Sequence, residues 1–224
     1  EHLTLIETRT GLNDLLDRRR RGDNVVGALL GTEGSHALDG QLENIDRLYA
    51  AGFRMMGLQH FFDNRLGGSL HGESQTGLTA FGEEAVRTMH ARGIMIDVAH
   101  SSEATVRDTL RVTGGGALIV SHTGFNGHCP SPRNISDETM AMITEAGGLI
   151  GVGFWSDVGG GASINAIVSA IRYGVDRFGL EHIALCSDWD GSVTTPIDAS
   201  QLPHLTQALL DADFTEQQVA AVMG

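Results

Sequence analysis

The stretch Gly93 to Thr123, GIMIDVAHSSEATVRDTLRVTGGGALIVSHT, constrains the fold more than any other part of the chain. Two short apolar runs, Ile94 to Val98 and Ala117 to Val120, are each followed within two residues by a histidine, His100 and His122. One helix fits between them: Ser101 or Ser102 as N-cap, Val106 and Leu110 on one face, and Gly114 to Gly116 as its stop. Ile/Val-rich runs without polar alternation suit strands buried on both faces, and an intervening helix makes parallel pairing the natural connection. Both histidines then stand at the carboxyl edge of one sheet, where loops can vary without disturbing the packed strands. A single histidine there reads as a hydrogen-bonded strand terminus. Its repetition points instead to two imidazoles converging on one metal ion.

The same grammar extends along the chain. The run Val25 to Leu30 ends on Gly31-Thr32-Glu33-Gly34, Phe53 to Leu58 on Gln59-His60, and His182 to Cys186 on Ser187-Asp188-Trp189-Asp190. Only Leu149 to Phe154 ends without a polar group of this kind, so five of six expected strand ends carry a metal-type or acid-base residue. Helices are expected over Leu12 to Arg21 (capped by Thr10 or Asn13), Gln41 to Ala51, Thr79 to Arg92, Ile164 to Phe178 and Gln217 to Met223, with another capped by Ser136. The final helix opens on a Thr215 to Gln218 capping box. Two loops are long: Phe61 to Gly77 is glycine-rich, and Thr123 to Ile135 carries Pro130 and Pro132, which stiffen the chain around Arg133. The expected class is α/β, one domain over residues 1–224.

With 41% apolar residues the 224-residue chain can bury a full core. Its 28 acidic against 15 basic residues give a net charge of -13, which argues against nucleic acid or an anionic membrane as partner. Arg18 to Arg21, the sole basic cluster, reads as a solvated helix end. No run approaches the roughly 18 apolar residues of a membrane span, and no signal peptide opens the chain. Cys129 and Cys186 form no Cys-x-x-Cys pair, so a reducing, cytoplasmic setting is the expectation. No Gly-x-Ser-x-Gly elbow or phosphate loop is present, and Gly114 to Gly116 precedes a strand, where a dinucleotide fingerprint fails. Imidazoles and carboxylates at strand ends suit a divalent-metal hydrolase, with Asp188 as the carboxylate that moves a proton from water to a leaving amine.

The segments GTEGSHALDG, GLQHFFDN, GLTAFG, MIDVAHSS, LIVSHTG, PRNISDE and SDWDG, in this order and spacing, resemble the membrane (renal) dipeptidase family of amidohydrolase-like metal hydrolases. The resemblance covers Val25 to the last residue. It implies a (β/α)8 TIM-type barrel, a centre of two zinc ions, and hydrolysis of dipeptides, often with tolerance of a D-residue at the carboxyl-terminal position. By motif it makes Glu33 the carboxylate bridging both metals, and His100 and His122 the histidines of the second metal. It gives His60 contact with substrate and the developing oxyanion, Arg133 the substrate's terminal carboxylate, and Asp188 the acid-base role.

The family opens with His-x-Asp on its first strand, and no His-x-Asp occurs in this sequence. With six strands counted, the chain is expected to lack the first two of the barrel and to hold one complete zinc ligand set rather than two. The family's usual asparagine after the final glycine is also missing. Two further readings stay open: a degenerate homologue that keeps the fold without turnover, and a hydrolase of another amide such as an N-acyl amino acid or a lactam. The sequence likewise leaves a homo-oligomer open.

Overall fold

The computed structural model describes residues 2–224. Among these residues, short parallel strands alternate with helices. In chain order they are β1 (Leu3–Leu5), α1 (Arg9–Arg20), β2 (Val26–Ala28), β3 (Leu30–Thr32), α2 (Glu43–Ala50) and β4 (Phe53–Gly57). Then come α3 (Ala80–Ala91), β5 (Met95–Asp97), α4 (Glu103–Thr113), β6 (Ile119–Thr123), α5 (Asp137–Glu145) and β7 (Leu149–Val152). The chain continues through α6 (Ser156–Gly159), α7 (Ile164–Phe178), β8 (Ile183–Leu185), α8 (Leu202–Asp211) and α9 (Glu216–Met223).

The strands β3 to β8 form one sheet in sequence order, every pair parallel, while β1 and β2 pair separately. Each crossover leads to the adjacent strand, so the sheet is wound in one direction as in a (β/α) barrel. All strand carboxyl ends therefore open on one face. Among the described residues no helix is long and apolar enough to cross a membrane.

The expected strand-helix-strand unit is present as β5-α4-β6. Ser102 caps α4 by accepting the Thr105 amide, and Gly114 ends it in the left-handed region at φ 67°, which a side chain would resist. Helix α4 buries Val106 in a core that also takes Met56, Ile96, Val98, Val120, Ile143, Ile150, Val152 and Ile171. Truncating such a fully buried side chain, Ile150 to alanine for example, costs about 2–5 kcal/mol.

Three expectations need correction. The count of six strands is too low, because Leu3–Leu5 is a strand paired with Val26–Ala28. The run Val25 to Leu30 is two strands, not one: its first part pairs with β1 and its second with β4, with a register shift at Leu30/Gly31. Helix α1 starts earlier than expected because Thr8, rather than Thr10 or Asn13, caps it by accepting the Gly11 amide. Helix α8 was not anticipated; Pro203 lies in its first turn, where the ring is compatible with a helix.

Candidate metal centre

Glu33 follows β3, His100 lies three residues past β5, and His122 is the penultimate residue of β6, so three separate strands deliver one cluster. His100 Nε2 is 2.9 Å from Glu33 Oε1 and 2.9 Å from His122 Nε2. His122 Nε2 is 3.0 Å from the same carboxylate oxygen. Three ligating atoms thus face a single point, all within 4.8 Å of one another. Two imidazole nitrogens and a carboxylate oxygen are a donor set that fits zinc or a similar divalent ion. Gly34, at φ 76°, lets the backbone turn directly after Glu33; a Cβ there would meet the His36 ring at 2.9 Å.

Electrostatics favour an ionised Glu33 and a neutral His100, the charge states that metal binding requires, and the Nε2 protons that bond Glu33 here would give way to an ion. Hydrogen bonds from His100 and then His122 hold the Glu33 carboxyl far below the usual carboxylate range, against the opposing effect of burial. Burial, opposed by the Glu33 bond, lowers His100 from 6.5 to about 4, so its imidazole is neutral at pH 7. His122 is oriented from behind: Ser121 Oγ lies 2.8 Å from its Nδ1 and donates to Asp97 Oδ2 at 2.6 Å. Asp97 is buried, also accepts the Ser121 and Ala99 amides, and has its pKa raised by burial.

The cluster lies on the wall of a cavity of about 750 Å³ that His60, Arg133, Asp188, Trp155 and His71 also line. His60 Nε2 is 3.6 Å from Glu33 Oε1, at the edge of the triad. Arg133 is buried and fixed by two backbone carbonyls, donating from Nη1 to Ala99 O at 2.9 Å and from Nη2 to His122 O at 2.7 Å. Its guanidinium carbon lies 5.7 Å from the centroid of the Trp155 ring. Asp188 adopts the left-handed region at φ 53°, a conformation aspartate tolerates better than most residues. Gly191 is required beside it, since a Cβ there would lie 2.2 Å from Asp188 Oδ1. Burial raises the Asp188 pKa; the charges of Glu33 and Asp190 add to this, and His122 and Arg133 oppose it. Cys186 is pushed up to about 12, chiefly by burial, which leaves it an inert thiol.

All six residues selected from the sequence therefore border one cavity or its metal cluster. The sequence reading missed Asp97, Ser121, His71 and Trp155. A carboxylate inside the apolar run Ile94 to Val98 was a usable signal for Asp97; nothing local marks His71 or Trp155.

A singly wound parallel α/β sheet with imidazoles and a carboxylate gathered at its strand ends is the arrangement of the amidohydrolase-like fold. The family model for membrane dipeptidase, peptidase family M19, matches residues 2–224, and the chain belongs to that family. An uncharacterized Klebsiella pneumoniae protein of the pqqA 5' region is 31% identical over 214 residues, spanning 88% of this chain and 78% of its own. Among solved structures, the probable dipeptidase PvdM from Pseudomonas aeruginosa superposes with TM-score 0.89 at 18% identity, covering all of this chain and 72% of its own. A metallo peptidase from Rhodobacter sphaeroides, solved with a phosphinate mimic of the dipeptide L-Ala-D-Ala, gives 0.83 at 23% identity over 99% of this chain and 66% of its own. At these identities the two structures bear on the fold.

Proposed function

We propose that the chain is a metal-dependent dipeptidase, with zinc the ion its donors suit. The observation that carries this reading is the convergence of Glu33, His100 and His122 on one point in a cavity that also presents His60, Arg133 and Asp188. A divalent ion held there supplies Lewis acidity, polarising the scissile carbonyl and acidifying water. By donor count the cluster makes one complete position, and a second ion would have Glu33 as its shared ligand.

The protein's own groups account for the rest. Asp188 takes a proton from the attacking water and returns one to the leaving amine, a task helped by burial, which raises its pKa. His60 donates to the oxygen that becomes negative as the carbonyl carbon turns tetrahedral. Arg133, held in place by two carbonyls, retains N–H groups for the free carboxylate of a dipeptide. The dipeptide mimic bound by the Rhodobacter sphaeroides relative is consistent with such a substrate.

The test is amino-acid release from a panel of L,L and L,D dipeptides by the zinc-supplemented chain, with N-acyl amino acids alongside. Dipeptide turnover that Asp188→Asn abolishes supports the reading. Zinc-binding protein that cleaves only N-acyl amino acids, or nothing, overturns it.

A further inference from the structure

Two histidines serve the triad, and only one has a partner behind it. His122 meets Ser121 through Nδ1, but His100 Nδ1 is closed off from solvent and meets no hydrogen-bond partner within the protein. With Nε2 directed at the metal point, Nδ1 of His100 carries the proton and needs an acceptor.

Among the described residues three other buried side-chain atoms are similarly unpartnered: Gln59 Nε2, Asn134 Oδ1 and His71 Nε2. Gln59 Nε2 can only donate. The Asn134 amide is tied to the carbonyls of Cys129, Asp157 and Val158. The His71 ring packs against His100 itself, with centroids 5.4 Å apart and planes tilted by 57°. That spacing lets one N–H···N bond form when the rings turn toward each other.

The backbone holds His71 at this position. The Leu70 amide donates to His100 O at 2.7 Å, and Ser69 Oγ, which donates to His60 O at 2.5 Å, lies 3.2 Å from the same His100 carbonyl, so the loop is stitched to the residue it would orient. The Asp63 carboxylate accepts the Ser69 and Ser74 amides at 2.8 and 3.0 Å. The Gln75 side chain donates to the carbonyls of Ser69, Leu70 and Gly72. Phe61 packs on both rings, its centroid 5.1 Å from His71 and 5.4 Å from His100, so the three rings form a triangle.

We infer that His71 is a positioning residue for the metal ligand His100, its Nε2 accepting the hydrogen bond that His100 Nδ1–H donates. The inference rests on the metal reading of Glu33, His100 and His122. It assigns the glycine-rich loop a part in metal retention as well as in walling the cavity.

The experiment compares the full chain with His71→Phe, which keeps a ring against Phe61 and His100, and His71→Gln, which keeps an acceptor. The readouts are zinc affinity by chelator competition, the absorption spectrum of the cobalt-substituted protein, and the melting temperature of metal-free protein. His71→Phe should weaken zinc binding by about 10- to 100-fold and shift the cobalt spectrum, with metal-free stability kept and His71→Gln largely restored. Wild-type affinity and spectrum in His71→Phe, or a loss that His71→Gln does not rescue, overturn the role of His71 while leaving the metal site standing. Wild-type protein that binds no zinc overturns both. Independently of any variant, imidazole nitrogen resonances of the zinc-loaded protein should show His100 Nδ1 protonated and coupled to a bare His71 Nε2; a solvent-exchanging His100 Nδ1 proton is the contrary result.

Discussion

Asp97 and His122 are joined through a single hydroxyl, Ser121 Oγ, which donates to the aspartate at 2.6 Å and lies 2.8 Å from His122 Nδ1. Because the hydroxyl hydrogen is committed to the carboxylate, Ser121 Oγ accepts from His122, and the proton on Nδ1 leaves Nε2 bare for a metal. The tautomer of His122 is thereby set from inside β5, one residue before that strand's apolar run ends.

Ser121→Ala should therefore weaken zinc binding by about 10- to 100-fold, the usual cost of losing an outer partner of a ligating histidine. Chelator competition measures it. Unaltered affinity would mean that the relay does not orient His122.

Arg133→Lys should raise KM for dipeptides by about 10- to 100-fold, since a point charge loses the planar fork and its charge-assisted bonds. The comparison is with substrates amidated at the carboxyl terminus. On these the two enzymes should differ little, and a difference of the original size would show that Arg133 does not read that carboxylate.

The acidic limb of kcat/KM should lie higher than a free aspartate would put it, because burial raises Asp188 and only its ionised form can accept a proton from water. Asp190→Asn removes one of the charges that raise it, so the limb should move to lower pH in that variant. Asp188→Asn should cost about 10²- to 10⁴-fold in kcat. A pH profile that stays fixed in Asp190→Asn argues that the limb belongs to another group.

Metal-free protein should lose stability as pH falls from about 6.5 toward about 4. Burial keeps His100 neutral down to about 4, whereas the unfolded chain takes up that proton near 6.5, so protons favour the unfolded state across the interval. Glu33 extends the loss further down: its depressed pKa stabilises the fold above its ordinary 4.5, and that contribution fades as pH drops below it. Melting temperatures recorded at pH 7.5, 6 and 5 should descend, and less steeply in His100→Gln. A flat series would contradict the assignment.

The strand-end donors were legible because a buried parallel strand leaves an uninterrupted apolar run whose end can be read directly, as at Val98 before His100 and Leu58 before Gln59-His60. Leu3–Leu5 escaped because three residues with a threonine between two leucines carry no such run. The split of Val25 to Leu30 was invisible for a different reason: it follows from which neighbour each half pairs with, a tertiary fact. His71 reaches the cavity only because of a loop path fixed by Asp63, Gln75 and the backbone of His100, and no local spacing encodes that path. The carboxylate-reading role of Arg133 came from the family's motifs, since an arginine in a loop carries no periodic signal of its own.

Glu33 and His100 sit at the ends of β3 and β5, strands that are not neighbours, because β4 lies between them. An ion shared by Glu33, His100 and His122 is thus a cross-brace spanning four consecutive strands at the end of the sheet where no backbone ladder continues. At a free concentration one hundred times its Kd, such a ligand adds about 2.7 kcal/mol to the folded state. The centre would then act as a latch on the architecture: opening the sheet between β3 and β6 requires releasing the ion first, so resistance to proteolysis and to heat would track metal supply as closely as catalysis does.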